Sequence, residues 1–510
     1  MAEVLTDIDT LAKSVLEVDE NVKDYMAVAV ILESLGVTDR TAEKYGYENV
    51  FKLAEAVFEV IEYYRLKGEV VGVRSKTELE KALEAIRLFL YGMLLSSPWL
   101  LTLIAYTLFR VSLLPIPTEP LPITAVGLSS ILSLIITSWL PHPFMRKMLY
   151  YKFQGSTTAV RQILKTYLIL GVLLVASSSL ILLYVAKVWG YPGWWIVQFM
   201  ALYIPLSLLW LSVAPLYALT LYEGVFLTYV VSLTAVWLGY KYMVTPSVYY
   251  PPHMMGLAAG VVVSLVYVGV YLYVRSKFKD GRGAPRIRYT LTLYIGAPYA
   301  TASALYFVFM FLDRFFAWWT GGSPPFIAGF WYENPAVISL LAICIPFGFL
   351  NYWLHKMYTF MPEGGRLFTV REVEAYRRRL RRLWTVGHAY ILVSGFASLA
   401  VILWFVEAFW SWLPNYLTVL TMCGIGNVLL ASSLMDMLLC FYLYRPWTPT
   451  AALVGAICFH AALTWTATGF MRPMYAALGY MVSSALLTIV LSALVSEYVE
   501  DIDYYFYSAY

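Results

Sequence analysis

The residues of this chain best placed to do chemistry are charges set inside apolar runs. Asp313 and Arg314 stand side by side in FMFLDRFFAWW, Arg110 closes the run YTLFR, Glu407 lies in ILWFVEAFW, Asp436 in SSLMDMLLCF and His460 in AICFHAALTW. A charge at the centre of a bilayer costs about 2.5–3.5 kcal/mol on insertion scales, so such residues face a cavity, a partner or a substrate path. Arg110, Arg314 and Glu407 fall within two turns of the end of their runs, from where a long side chain can snorkel to the headgroups. Asp436 is placed within reach of cytosolic water, and His460 is read as facing the interior of a bundle. This spacing suits binding and conduction rather than bond making. The runs contain no close carboxylate pair, and no HExxH, GxSxG or Walker pattern occurs. Cys344, Cys423, Cys440 and Cys458 lack ligand spacing, so neither a disulfide framework nor a metal site is expected. No cofactor is implied, and the chain reads as a carrier rather than an enzyme.

The elements that position these charges follow from composition. The 510 residues are 60% hydrophobic and 13% charged, whereas soluble domains carry about 25% charged residues. From Leu88 onward, apolar windows recur at the length of about 20 residues that spans a bilayer core. About twelve membrane helices are expected, making the fold all-α and polytopic. Lys and Arg gather in alternate loops: Arg146, Lys147, Lys152, Arg161 and Lys165 after the second span, and Arg275 to Arg288 after the sixth. After the eighth come Arg366, Arg371, Arg377, Arg378, Arg379, Arg381 and Arg382. The intervening stretches 115–120, 245–252 and 320–334 contain neither. Basic loops stay in the cytosol, so both termini are expected there, in a multi-pass protein of the cytoplasmic membrane. The arginines 377–382 are candidates for lipid contact or for docking a cytosolic partner, on a separate helix running from Val370 to about Trp384. Thr369 and Glu372 have the spacing of a capping box at its start. Trp194, Trp195, Trp318, Trp319, Trp331, Trp410 and Trp412 fall at the opposite ends of spans, where tryptophans act as interfacial anchors.

Residues 1–80 differ in kind, being charged and patterned at helical spacing. Between Asn49 and Tyr64, Val50, Leu53, Ala54, Val57, Val60 and Ile61 recur every three or four residues, giving one amphipathic helix of a small cytosolic segment. The acidic start MAEVLTDIDT is not that of a signal peptide. Further on, the first and seventh spans align Pro98 with Pro298, Tyr106 with Tyr306 and Phe109 with Phe309. A proline in a membrane helix frees a carbonyl and marks a bend or cavity. The chain therefore divides into a segment 1–80, a lobe of six spans over 81–288 and a second over 289–510 with a short tail, as parallel repeats about a central path.

Three stretches carry a family resemblance. YGMLLSSPWLLTLIAY (91–106) resembles the first-span signature of the Pel exopolysaccharide transporter family (PelG-like). LDRFFAWWTG (312–321), followed by a span and by MPEGG (361–365), is similar to that family's segment at the end of the seventh span. The tail YVEDIDYYFY resembles its acidic-aromatic ending. Ser97 and Arg314 depart from the family's usual Gly and Lys, and LNYWLHKMYTF (350–360) replaces its acidic stretch. The resemblance implies a MATE-like flippase of the multidrug/oligosaccharidyl-lipid/polysaccharide (MOP) superfamily, with two six-helix lobes. It also implies export of a polysaccharide by alternating access, with a glycan or lipid-linked glycan substrate, a cytosolic glycosyltransferase and further membrane export subunits as partners. The alternatives are a lipid-linked oligosaccharide flippase, an ion-coupled drug exporter or a non-transporting membrane scaffold. Pathway candidates are Asp313, Arg314, Arg110, Pro98, Pro298, Asp436, Glu407 and His460. Asp313 is expected to face the cavity, binding sugar hydroxyls or pairing with Arg110 in one state of the cycle only, with Arg314 snorkelling; a static folding bridge is the rival.

Overall fold

The computed structural model describes residues 2–19, 22, 24–67, 78–243, 250–276, 287–361, 370–410, 415–470, 473–502 and 504. They form two compact units, Met1–Glu84 and Ala85–Tyr510.

The first unit is built from α1 (Ala2–Val18), α2 (Tyr25–Ser34), α3 (Asp39–Lys44) and α4 (Val50–Lys67). The apolar stripe of α4 is its inner face: Val50, Leu53, Ala54, Val57 and Ile61 are buried and pack with Val15, Val28 and Leu32. Each large aliphatic side chain so buried contributes about 1.5–3 kcal/mol. Asp24 caps α2 by accepting the Ala27 amide at 2.7 Å, which satisfies a donor that the helix itself leaves open. The Asp39 carboxylate accepts the Val50 amide at 2.9 Å and ties the start of α4 to α3.

The second unit contains α6 (Ser97–Phe109), α7 (Pro120–Ser138), α8 (Pro141–Phe153), α9 (Thr157–Val188), α10 (Gly193–Ala218), α11 (Tyr222–Tyr242) and α12 (Tyr250–Ser276) in its first lobe, entered through α5 (Glu78–Met93). The second lobe contains α13 (Tyr289–Ala317), α14 (Phe330–Ser339), α15 (Cys344–Phe360), α16 (Val370–Trp410), α17 (Tyr416–Tyr442), α18 (Trp447–Phe470) and α19 (Ala476–Glu500). Among the described residues, eleven helical spans are long and apolar enough to cross a membrane. The expected span not among them is the first, where α5 gives way to a 3-10 turn, Leu94–Ser96, before α6 starts. Pro98 lies in the first turn of α6, where the N–H it lacks has no helical partner to lose. The 13 residues of α6 reach only roughly 20 Å at 1.5 Å per residue.

The two aligned prolines are therefore used differently. Pro298 sits inside the uninterrupted α13, and its own carbonyl accepts the Thr450 hydroxyl of α18 at 3.3 Å. The second broken span is the eighth, where α14 and α15 are joined by the 3-10 turn Leu340–Ile343. A further difference from the sequence reading is the arginine-rich segment. It is the start of α16, which continues through the ninth span as one helix of 41 residues, roughly 60 Å long and about twice the hydrocarbon thickness. The Thr369 and Glu372 side chains proposed as its cap lie outside the described residues.

Close helix approach uses small residues, as membrane helices must where no hydrophobic force separates them from lipid. On α12, Gly256 and Gly260 face α11: a Cβ on Gly256 would stand 2.7 Å from the Ser232 carbonyl oxygen, and one on Gly260 would stand 2.9 Å from Leu209 of α10. The clustering of Lys and Arg gives the membrane unit a basic face and an opposite face. The positive-inside rule predicts that the basic face is cytosolic. A cysteine replacing the exposed Ser323 should then react with a membrane-impermeant thiol reagent in intact cells, and one replacing the exposed Arg378 only after permeabilisation. The reverse labelling pattern would invert the orientation.

Candidate functional site

The buried charges of the second lobe meet where α13 ends and α14 begins. Arg314 lies in the last turn of α13 and Glu333 in the first turn of α14, each at the helix end whose dipole favours its sign. They form an ion pair of 2.6 Å, with side chains only 6% and 12% exposed. Asp313, one position earlier, points elsewhere, as a 100° step along a helix requires. Its Oδ2 accepts the Tyr332 hydroxyl at 2.6 Å, while its Oδ1 and the Oε2 of Glu333 have no hydrogen-bond partner. A polar chain continues inward: Tyr480 donates to Asn427 Oδ1 at 2.8 Å, and Asn427 Nδ2 donates to Ser339 at 2.8 Å. His460 stands against Phe309 and Tyr480, ring centroids 5.2 and 5.8 Å away. Among the described residues the hydroxyls of Thr464, Ser483 and Ser484 are buried without partners. Buried polar atoms are normally satisfied, so this interior has room in its bonding pattern for water or a small ion.

A second buried carboxylate belongs to Asp436 on α17. It is fully buried, so water from the basic face does not reach it as the sequence suggested. Its Oδ1 accepts Trp384 Nε1 at 2.8 Å and meets His388 Nε2 at 2.9 Å, and its Oδ2 accepts the Ser492 hydroxyl at 2.7 Å. His388 Nδ1 pairs with Ser432 at 2.7 Å. Trp384, His388 and Ser492 were not singled out from sequence. The available signal was a matched spacing: Trp384 and His388 are four apart on α16, as Ser432 and Asp436 are on α17, so each pair shares a helix face.

The lobes touch along two seams. At the basic face, Gly296 of α13 rides against Pro143 of α8, where a Cβ would stand 2.7 Å from Pro143 Cα. The Arg146 guanidinium stacks on Tyr299 at 3.8 Å and reaches Tyr444 at 5.3 Å. Gly92 abuts Gly348, and Asn351 Nδ2 donates to the Leu88 carbonyl at 2.7 Å. At the opposite face the stretch between α13 and α14 crosses to the first lobe. Trp318 fills a notch at Gly127, where a Cβ would stand 2.8 Å from its ring. The Ala328 amide donates to Thr124 at 2.8 Å, Tyr191 donates to the Phe326 carbonyl at 2.7 Å, and Ser323 donates to the Trp189 carbonyl at 2.8 Å. Within this stretch, Thr320 N donates to Pro325 O at 2.9 Å and Ile327 N to Trp318 O at 2.8 Å, which folds it into a hairpin.

Several expectations change. In this conformation Arg110 is exposed at the end of α6, over the Tyr106 ring at 5.8 Å, and not beside Asp313, a pairing expected in one state of the cycle only. Arg314 is buried and paired, because Glu333 offers it a better partner than the headgroups. Glu407 is exposed on α16. Trp195 and Trp318 are each 1% exposed and pack inside the protein, Trp195 donating to the Leu121 carbonyl at 2.8 Å. Trp194, Trp319 and Trp331 are exposed, while the side chains of Trp410 and Trp412 lie outside the described residues.

The fold, the divided first span and the two-lobed seam define a membrane transporter of the MATE-like type. A solved MOP superfamily transporter from Pyrococcus furiosus, described by its reversed binding-pocket polarity, is similar at 14% identity with a TM-score of 0.59, over 82% of this chain and 96% of that one. A multidrug-resistance MATE transporter in an outward-facing conformation is similar at 15% identity and TM-score 0.57, again over 82% and 96%. The inward-facing conformation of such a transporter gives 12% identity and 0.53, over 81% and 95%. No curated protein matches the sequence. Residues 75–507 match the family model of PelG, "Putative exopolysaccharide Exporter (EPS-E)", and the chain belongs to that family.

Removing one member of the Arg314–Glu333 pair should be costly. Glu333→Gln removes the carboxylate in contact with the guanidinium and leaves it only Asp313, a change of up to about 3–5 kcal/mol, whereas replacing Arg314 and Glu333 by apolar residues of similar volume together with Asp313→Asn leaves no charge behind and is close to neutral. Thermal unfolding in detergent should show the single variant markedly less stable and the triple variant largely restored. Equal stability of the single variant and the wild type would show that the pair does not hold α13 to α14.

Proposed function

We propose that the chain exports or flips an exopolysaccharide across the cytoplasmic membrane by alternating access, one seam opening while the other stays shut. The observation that carries this reading is the pairing of small-residue notches with bulky side chains across both seams, Gly127 with Trp318 and Gly296 with Pro143. Such contacts separate as rigid surfaces without unfolding either lobe. Membership of the PelG family favours a glycan substrate.

The energy for the cycle is assigned to the interior of the second lobe. Asp313 and Glu333 oppose a single guanidinium, Arg314, so holding that cluster neutral in a low-dielectric interior requires one proton or one monovalent cation. The unpartnered oxygens Asp313 Oδ1 and Glu333 Oε2 are where it would bind. At the basic face, Arg381 pairs with Glu500 and Arg379 lies over Phe360 at 4.7 Å. That leaves Arg378 and Arg382, exposed and one turn apart, as the arginines best suited to a cytosolic glycosyltransferase or to anionic lipid.

A strain lacking the gene and restored with the wild-type protein should secrete the polymer. Asp313→Asn should reach the membrane at normal abundance and secrete little, because the change removes the charge and keeps the oxygen that accepts Tyr332. Full secretion by Asp313→Asn would take this residue out of the transport cycle. No secretion difference between the deletion and the wild type would reject the export reading itself.

A further inference from the structure

Arg110 and Lys241 stand at the face opposite the basic one, where Lys187 also ends α9. Arg110 ends α6 and Lys241 ends α11, and they line one cleft of about 300 Å³ together with Phe109, Val111, Trp237 and Tyr240. Among the described residues each is engaged with rings alone: Arg110 with Tyr106 at 5.8 Å, and Lys241 with Trp237 and Tyr242 at 5.4 Å each. Neither has a carboxylate within 4.0 Å among the described residues, and the adjoining stretch 244–249, VTPSVY, contains no acid that could supply one.

Arg110 is held at φ +58°, the left-handed conformation that ends a helix and that glycine adopts without strain. A long basic side chain kept where glycine is the easier choice points to a use for that side chain. The wall behind it is fixed. Tyr240 and His253 Nε2 are 2.6 Å apart, and His253 Nδ1 meets the Leu113 carbonyl at 3.1 Å, tying α11, α12 and the chain after α6 together. Leu108, Phe109, Leu238 and Met243 around the cleft are exposed, an apolar rim beneath two charges. None of the lining residues takes part in either seam, so the cleft is not part of the path between the lobes.

We propose that Arg110 and Lys241 bind the phosphate of an anionic phospholipid headgroup, in the leaflet opposite the basic face, with the acyl chains along that apolar rim and Trp237 at the headgroup level. Guanidinium and ammonium together match a phosphate diester, the first by paired N–H donors and the second as a point charge. The lipid would brace the end of the divided first span, whose last helix, α6, has only 13 residues.

The test uses the full-length protein reconstituted with a trace of photoreactive phosphatidylglycerol or photoreactive phosphatidylcholine, with adducts mapped by peptide mass spectrometry. Phosphatidylglycerol adducts should concentrate on the peptides around 104–111 and 234–243. They should fall by about fivefold for each cation removed in Arg110→Gln and Lys241→Gln, while adducts around 370–382 stay constant and report intact folding. Arg110→Gly separates the site from a helix-capping role: it should match or exceed the wild type in thermal stability and still lose the adducts. The proposal is overturned if phosphatidylcholine labels these peptides equally, if excess inorganic phosphate displaces the adducts, or if Arg110→Gly loses stability and keeps them.

Discussion

The Arg314–Glu333 pair joins the last turn of α13 to the first turn of α14, and much of the membrane unit depends on that join. Between the two ends lies the hairpin 318–329, which carries every contact described at the seam opposite the basic face. Taking both charges out of water is costly, so the pair holds because its contact is close and either partner alone would be left a poorly compensated buried charge. Both helix dipoles assist it here, and Tyr332, next to Glu333, occupies the neighbouring Asp313. One junction thus fixes the hairpin, seats Trp318 in the Gly127 notch and holds an acidic residue at the edge of the polar interior of the second lobe. A change in the protonation or ion occupancy of that interior is therefore placed to alter the seam directly.

The two lobes are built to different rules although their sequences align at Pro98 and Pro298. In the first lobe the proline follows a break, and the entering span is two short helices. In the second it lies within a continuous helix, and the break falls in the following span, at Leu340–Ile343. Backbone breaks inside a membrane are tolerated only where protein or a cavity satisfies the freed groups. The 3-10 turn at Leu94–Ser96 and the one at Leu340–Ile343 lie in spans packed against each other, Gly92 against Gly348 and Leu88 against Asn351. Two breaks of the fold thus lie along the contact between the lobes, where motion is required, beside the continuous α13.

The all-helical class, the two lobes and the amphipathic face of α4 were legible in the sequence because they rest on period and composition, which are local. The family was legible in a few motif positions around Ser96–Thr102 and Leu312–Gly321. What sequence could not give was partner choice. Arg314 looked free to snorkel because it lies near the end of its span, yet Glu333, in a loop by its composition, starts a helix and takes Arg314, while Tyr332 takes Asp313. His388 was overlooked because it follows the arginine run within an otherwise unremarkable span, and only the fold brings it to Asp436. Trp195 and Trp318 looked interfacial by position, but the notches that bury them are made by residues far away in sequence.

The central claim is that the seam opposite the basic face must open during transport, and a removable lock tests it most directly. A Cβ on Gly190 would stand 3.7 Å from Ser323 Cβ, within the Cβ separation of a disulfide, although Gly190 has φ +77° and a side chain there costs about 1–2 kcal/mol. The variant Gly190→Cys/Ser323→Cys should secrete polymer when reduced, stop when oxidised and resume on renewed reduction, with each single-cysteine variant indifferent to oxidant. Undiminished secretion by the fully cross-linked protein would contradict the account.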